Sequence, residues 1–325
     1  MPPKPQSHLF VPAINPRALK KAFSSDVAEK TRIIVDLEDA VNDIENSDHA
    51  RELKEVARET LMNFLREGGK GIAPFALRIN SPKTEHYAQD ITFLSSLAKE
   101  LKITPSIVLP KAESIEEIQE IRNGYPELSD VLALIETREG LKHLPEMLQD
   151  RVVTSAAFGH HDFFYEEGQY PIPASALTSE RYRSVLAEFK AILDSSGRDI
   201  PFIDGIYPHL KDNEGLQNDM RYVHNFFPER AVGKLTLNPG QALGVDATSD
   251  FHREVHLSNE DEEMSEADRE RLARYTIDSY QQRSDNLAVT KAENNRYISP
   301  QEYQLAKKFL TDKEYDREFK PGKRL

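Results

Sequence analysis

Short apolar, β-branched runs recur about every thirty residues along this chain, each followed by a longer polar segment with helical periodicity. The runs are Leu9-Phe10-Val11, Ile33-Ile34-Val35, Phe75-Ala76-Leu77, Ile107-Val108-Leu109, residues 131–135 and 155–158, Pro201-Phe202-Ile203, and Leu235-Thr236-Leu237. The spacing predicts helices over 18–23, 50–67, 87–101, 114–123, 139–148, 179–195 and 214–226. Ser114 with Glu117 reads as a capping box, and Gly197 suits a helix end. Eight continuous apolar strands alternating with helices fit a (β/α)8 TIM barrel of the α/β class better than an open doubly wound sheet. No G-x-G-x-x-G or P-loop pattern is present, and Gly68-Gly69-Lys70-Gly71 follows a helix, as a loop would.

The barrel is expected to close near Gly244. That divides the chain into a TIM-barrel catalytic domain, 1–245, and a C-terminal helical arm, 246–325, expected to pack on a neighbouring subunit. In the arm, the acidic run 259–263 reads as a solvated face or mobile linker. Helical stretches follow at 265–283 and 300–310, before a basic end, Lys320-Pro321-Gly322-Lys323-Arg324.

Composition narrows the function classes. Forty-two basic against 55 acidic residues leave a net charge of −13, which argues against nucleic-acid binding through a basic face. With no cysteine, thiol nucleophiles, disulfides and cysteine-ligated zinc are excluded together. No run approaches the roughly 18 apolar residues of a membrane span, and the amino terminus lacks the apolar core of a secretory signal. A cytoplasmic protein with no membrane partner is expected.

In a barrel of this kind, chemistry comes from the carboxyl ends of the strands. Strand two ends in Asp36-Leu37-Glu38-Asp39, strand three in Arg78-Ile79-Asn80 and strand four in Pro110-Lys111, with Glu113 beyond. Strands five to eight give Glu136-Thr137, Gly159-His160-His161-Asp162, Asp204-Gly205 and Asn238-Pro239-Gly240. Carboxylates converging on one mouth repel each other unless a cation sits between them, and Mg2+ bound by Glu136 and Asp162 on adjacent strands is the economical answer. Arg78 would then face the substrate, holding a carboxylate or a developing enolate oxygen. Lys111 suggests a Schiff base, but its acidic neighbours favour an ion pair with Glu113 or Glu136. His160-His161 has the look of a zinc pair. Neighbours on a strand point to opposite faces, however, so a loop-packing role is preferred.

At these residues the sequence resembles the citrate lyase β-subunit family of the HpcH/HpaI aldolase superfamily. The resemblance runs from Leu9 to about Gln241 and rests on eight pieces in order. They are Leu9-Phe10-Val11-Pro12, Asp36-Leu37-Glu38-Asp39-Ala40-Val41, Arg78-Ile79-Asn80, Leu109-Pro110-Lys111 and Ile135-Glu136-Thr137. Phe158-Gly159 with Asp162, Asp204-Gly205-Ile206-Tyr207 with Asp212 and Glu214-Gly215, and Gly233-Lys234 with Pro239-Gly240-Gln241 complete the set. The resemblance implies a Mg2+-dependent carbon–carbon lyase that cleaves or forms a β-hydroxyacyl thioester through an enolate. It implies Mg2+ on Glu136 and Asp162, Arg78 on the substrate's acyl or keto-acid portion, and Glu38 and Asp39 as catalytic acids around the metal. Lys111, Asp204 and Asn238 are taken as further substrate-binding positions, and a homotrimer or hexamer is implied.

The chain departs from the family pattern at several places. Ala13 and Ala18 replace a glycine and a basic residue near the coenzyme A phosphates, and Asn238-Pro239 replaces His-Pro. Ser299 stands where thioester-acting members supply an aspartate to the neighbour's site, and residues 165–173 form a longer, more aromatic insertion. A serine cannot act as a carboxylate base, so thioester hydrolysis after bond cleavage is not expected. An aldolase for free 2-keto acids of the pyruvate class is the alternative. A non-catalytic scaffold subunit is a third reading, disfavoured by the retention of Arg78, Glu136 and Asp162 together.

Overall fold

The computed structural model describes residues 5–43, 46–68, 72–281, 290–291 and 296–319. Eight parallel strands close into a barrel: β1 (Gln6–Pro12), β2 (Thr31–Asp36), β3 (Phe75–Arg78), β4 (Ser106–Leu109), β5 (Val131–Ile135), β6 (Val153–Phe158), β7 (Phe202–Asp204) and β8 (Val232–Thr236). Each pairs with the next, and β8 closes on β1 with Leu9 opposite Thr236. All eight predicted runs fall on these strands, with only Pro201 and Leu237 just outside them. Alternate side chains divide two cores. Ile34, Ala76, Val108, Leu132, Leu134, Ala157, Ile203 and Leu235 fill the axis, while neighbours such as Ile33, Val35, Leu77 and Ile107 face the helices. Each such burial is worth about 1.5–3 kcal/mol.

Every predicted barrel helix is present, with shifts of a few residues at the ends. Ser114 and Glu117 form the capping box, and Gly197 takes a left-handed φ of 65°. Two helices that start just past strand ends are not marked by periodicity, His160–Glu166 after β6 and Pro239–Asp246 after β8, and neither are the four-residue helices Ser25–Ala28 and Glu260–Glu263. The arm contributes helices Glu266–Gln281 and Pro300–Phe319, joined by a Tyr280–Tyr303 stack at 4.3 Å. The second packs against His160–Glu166 of the same chain. Within the acidic run, Asp261 accepts hydrogen bonds from the Ala174 amide at 2.9 Å and the Thr178 hydroxyl at 2.8 Å. It therefore anchors the segment that directly follows the insertion, which a wholly solvated face would not do. Residues 69–71 of the glycine cluster and the basic end, 320–325, lie outside the described residues. No helix among the described residues is long and apolar enough to cross a membrane.

The amino-terminal end of the barrel carries a buried histidine. His8, on β1, is 4% exposed, with no partner for Nδ1 among the described residues. Burial, aided by the Arg32 charge, presses its pKa down to about 3. The unfolded chain binds this proton near pH 6.5, so the unfolded state holds more protons between pH 6.5 and 3. Stability is present above pH 6.5 and lost as the pH falls through that window, by on the order of 4–5 kcal/mol. His8→Phe is expected to flatten the melting temperature against pH between 6.5 and 4; an unchanged slope would remove His8 as the cause.

Candidate active site

The carboxyl ends of the strands gather charge around one cavity of about 290 Å3. Its walls are largely apolar, from Phe10, Leu134, Phe158, Ile206 and Leu235, and its polar side is formed by Asp36, Asp39, Arg78, Glu136, His161 and Asp162. Arg78, the last residue of β3, lies across from Asp36, the last of β2. Its Nε donates to Asp36 Oδ1 at 2.8 Å and its Nη2 to Asp36 Oδ2 at 2.5 Å, a bidentate pair that fixes the guanidinium plane. Nη1 points onward to Glu38 at 3.1 Å and Asp39 at 3.3 Å, and the guanidinium stacks over the Phe10 ring at 4.6 Å. Asp36 also accepts from the Glu38 and Ala40 amides, which sets the turn that carries both acids.

Asp39, Glu136 and Asp162 each present a carboxylate oxygen, and the three oxygens lie within 4.8 Å of one another. Glu136 is 4% exposed and its Oε2 accepts the Lys111 amide at 2.8 Å. Lys111 reaches that position with a φ of 46°, a left-handed backbone that turns its amide toward the acid. Its Nζ stands 3.4 Å from Asp162 Oδ1. The expected ion pair is thus present, but its partner is Asp162; Glu113 instead pairs with Lys83.

The electrostatics favour a cation. Asp36, Glu38, Asp39, Glu136 and Asp162 face Arg78, Lys111 and Lys54, so five carboxylates meet three positive side chains. Burial and the Asp162 charge push the Glu136 carboxyl up to about 8. Burial and the neighbouring Asp39 hold Glu38 well above the usual carboxylate range. Burial and Asp39 also raise Asp162. Burial works against the Asp39 anion too, but Arg78 and Lys111 hold it below its usual value. An all-oxygen donor set with excess negative charge fits a hard divalent cation such as Mg2+.

Gly159 makes this arrangement possible. A Cβ there would stand 2.3 Å from Glu136 Cγ and 2.8 Å from Oε1, so only glycine lets the acid lie across the end of β6. Gly159→Ala is expected to displace Glu136 and weaken magnesium binding at least 10-fold, on the order of losing an outer-shell support. Calorimetric titration checks this, and unchanged affinity would show that the acid has another resting place.

Four predicted site residues do not line the cavity: Glu38 and Lys111 stand outside its lining, paired with Arg78 and Asp162, while Asp204 and Asn238 turn elsewhere. Asp204 is fully buried behind it, accepting from the Tyr182 hydroxyl at 2.8 Å and from Lys234 Nζ at 2.6 Å. Asn238 caps the helix Pro239–Asp246, its side-chain oxygen accepting the Gln241 amide at 3.0 Å. A strand-end position puts a residue near the mouth; its partners decide whether it faces the opening. The histidines also need correction. Both lie in the first turn of a helix rather than on a strand, with rings 4.4 Å apart, and both line the cavity.

The arm completes the roof. Tyr297 lines the cavity, donates its amide to Pro208 O at 2.8 Å, and sets its ring 5.3 Å from that of His161. Ser299 Oγ lies 3.1 Å from His161 Nδ1, and Gln301 Nε2 donates to both oxygens of Asp162 at 3.0 and 3.1 Å. Tyr297 and Gln301 lie too far from the strands in sequence for a strand-end reading to find them.

Residues 6–225 match the family described as HpcH/HpaI aldolase/citrate lyase. Among solved structures, the citrate lyase beta subunit of M. tuberculosis complexed with oxaloacetate and magnesium is similar at 24% identity. The match covers 75% of this chain and 96% of that one, with a TM-score of 0.56. RipC from Yersinia pestis matches with the same identity and TM-score over 75% of this chain and 94% of its own. The M. tuberculosis protein CitE with magnesium, acetoacetate and coenzyme A matches over 95% of this chain and 97% of its own, at 21% identity and a TM-score of 0.55. At these identities the likeness establishes the barrel fold. Among curated proteins no match is found.

Proposed function

The chain belongs to the HpcH/HpaI aldolase/citrate lyase family, and from that membership we propose that it is a Mg2+-dependent carbon–carbon lyase working through an enolate. The observation that carries this reading is the cluster of Asp39, Glu136 and Asp162 oxygens beside Arg78, which lines the same cavity. Glu136 and Asp162 would hold the cation, with Asp39 and Glu38 completing its surroundings. When bound, Mg2+ supplies positive charge to the substrate oxygens on which negative charge develops. Arg78, locked by Asp36, presents Nη1 to the acyl or keto-acid portion, and Lys111 stands at the rim. The apolar wall from Phe10 to Leu235 keeps water from the nascent carbanion. Keeping five mutually repelling acids at one mouth speaks against a scaffold subunit.

A β-hydroxyacyl thioester is the substrate form we propose, and the coenzyme A complex of the M. tuberculosis protein supports it. One observation favours the second reading, a free 2-keto acid. The cavity of about 290 Å3 sits at the low end of small-molecule sites, roughly 300–1,000 Å3, and is roofed by Tyr297. The barrel, 1–245, then carries the chemistry and the arm, 246–325, covers it; assembly into a homotrimer or hexamer, with arm contacts to a neighbouring subunit, belongs to the same proposal. The test is calorimetric titration of Mg2+, then of acetyl-CoA and of pyruvate into the magnesium-loaded protein. Binding of acetyl-CoA supports the thioester lyase. Binding of pyruvate alone assigns a keto-acid aldolase, and no Mg2+ binding overturns both.

A further inference from the structure

Gln301, in the first turn of the arm helix Pro300–Phe319, places its Nε2 3.0 Å from Asp162 Oδ1 and 3.1 Å from Asp162 Oδ2. One amide nitrogen nearly equidistant from both oxygens stands between them and spends an N–H on each. Lys111 Nζ adds a second positive contact to Oδ1 at 3.4 Å. A carboxylate has about four lone-pair sites, two on each oxygen. Among the described residues, Asp162 therefore has both sites of Oδ1 engaged and one of Oδ2, which leaves it a single open site, on Oδ2.

The amide meets Asp162 from a fixed backbone. Ser299, 1% exposed, caps the helix by accepting the Glu302 amide at 3.0 Å. Glu302, the residue after Gln301, is completely buried and pairs with Arg296 at 2.6 Å. Residue 296 bridges His209 in antiparallel register, and the Tyr297 amide reaches Pro208 O at 2.8 Å. On its other side the helix packs against His160–Glu166, which carries Asp162. Much of the ordering cost of the contact is thus met by the packing of the arm.

The number of open sites on Asp162 discriminates between hard cations. Mg2+ takes about six oxygens at roughly 2.0–2.1 Å in strict octahedral geometry, and one oxygen from each of one or two carboxylates serves it. Ca2+ takes about six to eight at roughly 2.3–2.6 Å, and often reaches that number by gripping a carboxylate through both oxygens. With Gln301 between its oxygens, Asp162 offers one of them and does not chelate. Removing the amide would free a site on each oxygen and open the space between them.

Resting on the lyase reading above, we propose that Gln301 is a specificity-determining residue that selects Mg2+ over Ca2+ by keeping Asp162 a one-oxygen ligand. Coulomb attraction falls with distance, so the more closely held ion offsets an enolate's charge better. The arm of the chain thereby helps to choose the cation as well as roofing the cavity.

The test is calorimetric titration of Mg2+ and, separately, of Ca2+ into the full chain of wild type, Gln301→Met and Gln301→Glu. Wild type is expected to bind Mg2+ the more tightly. Gln301→Met keeps the length of the side chain without the donor, and its ratio of Mg2+ to Ca2+ affinity is expected to fall about 10- to 100-fold, the scale of a lost outer-shell partner. Gln301→Glu adds an oxygen beside Asp162 and is expected to shift the ratio further toward Ca2+. A folded Gln301→Met that weakens both cations equally, or neither, overturns the proposal, since a merely structural role would leave the ratio unmoved. Wild type binding Ca2+ as tightly as Mg2+ overturns it too, and that measurement needs no variant to fold. Failure of wild type to bind Mg2+ at all would overturn the lyase reading itself, whereas an unmoved ratio with Mg2+ binding intact overturns this proposal alone.

Discussion

Glu136→Gln is expected to lower magnesium affinity at least about 100-fold, beyond the 10- to 100-fold cost of losing an outer-shell support. The barrel should stay folded. Glutamine has nearly the same shape, its carbonyl can still accept the Lys111 amide, and Gly159 leaves it the same channel. Neutralising a buried acid already pushed up to about 8 also removes a charge that the metal-free protein holds reluctantly. The variant without metal should therefore melt at or slightly above the wild type. Adding Mg2+ separates them. At 100 times its dissociation constant a ligand stabilises a folded protein by about 2.7 kcal/mol and at a 100-fold weaker site by about 0.4 kcal/mol, so the wild type should gain several degrees and the variant about one at most. Equal magnesium-induced shifts in the two proteins would mean that Glu136 is not a ligand. Turnover should fall with the affinity, because Arg78, saturated by Asp36 and shared with two further acids, cannot alone offset an enolate's charge.

The barrel was legible because its signal is distributed. Each strand contains a short apolar run, and eight such runs tolerate errors at any one. The ends were less legible. At Glu136 the first polar residue after the run does line the cavity, and after β6 His160, His161 and Asp162 all do, but Asp204 and Asn238 are also first polar residues after their runs and turn elsewhere. Their partners, Lys234 on β8 and the Gln241 amide in the next helix, depend on tertiary register and capping rather than on the run itself. Asp36 shows the converse. It reads as one acid in a cluster, and only the β2–β3 register, which sets it opposite Arg78, reveals it as the clamp on the guanidinium. The arm was legible as helices and as a departure at Ser299. Its placement over the mouth of its own barrel comes from contacts 138 and 139 residues apart, His161 with Ser299 and Asp162 with Gln301, which no local pattern encodes.

Lys234→Met is expected to cause the largest loss of stability of any single change discussed, about 3–5 kcal/mol. Lys234 is completely buried on β8, its Nζ binding Asp204 at 2.6 Å and also Asp219, both of them completely buried. Asp204 takes a further hydrogen bond from the Tyr182 hydroxyl at 2.8 Å. One ammonium thus serves two carboxylates, and burial pushes Asp219 up to about 6 even with the lysine beside it. Without the lysine two buried anions face each other, and both must take up protons to stay folded. A carboxyl whose folded pKa lies above its unfolded value favours folding most at low pH, and the advantage is lost as the pH rises through the folded value. The gap between Lys234→Met and wild type should therefore widen from pH 5 to pH 8, with a melting temperature lower by on the order of 10 °C at the upper end. Adding Asp204→Asn and Asp219→Asn to the variant should recover much of the loss, since neutral amides carry no repulsion. If Lys234→Met melted within two or so degrees of wild type at pH 8, Asp204 would not be bound into the barrel wall as described, and its exclusion from the substrate site would fall with it.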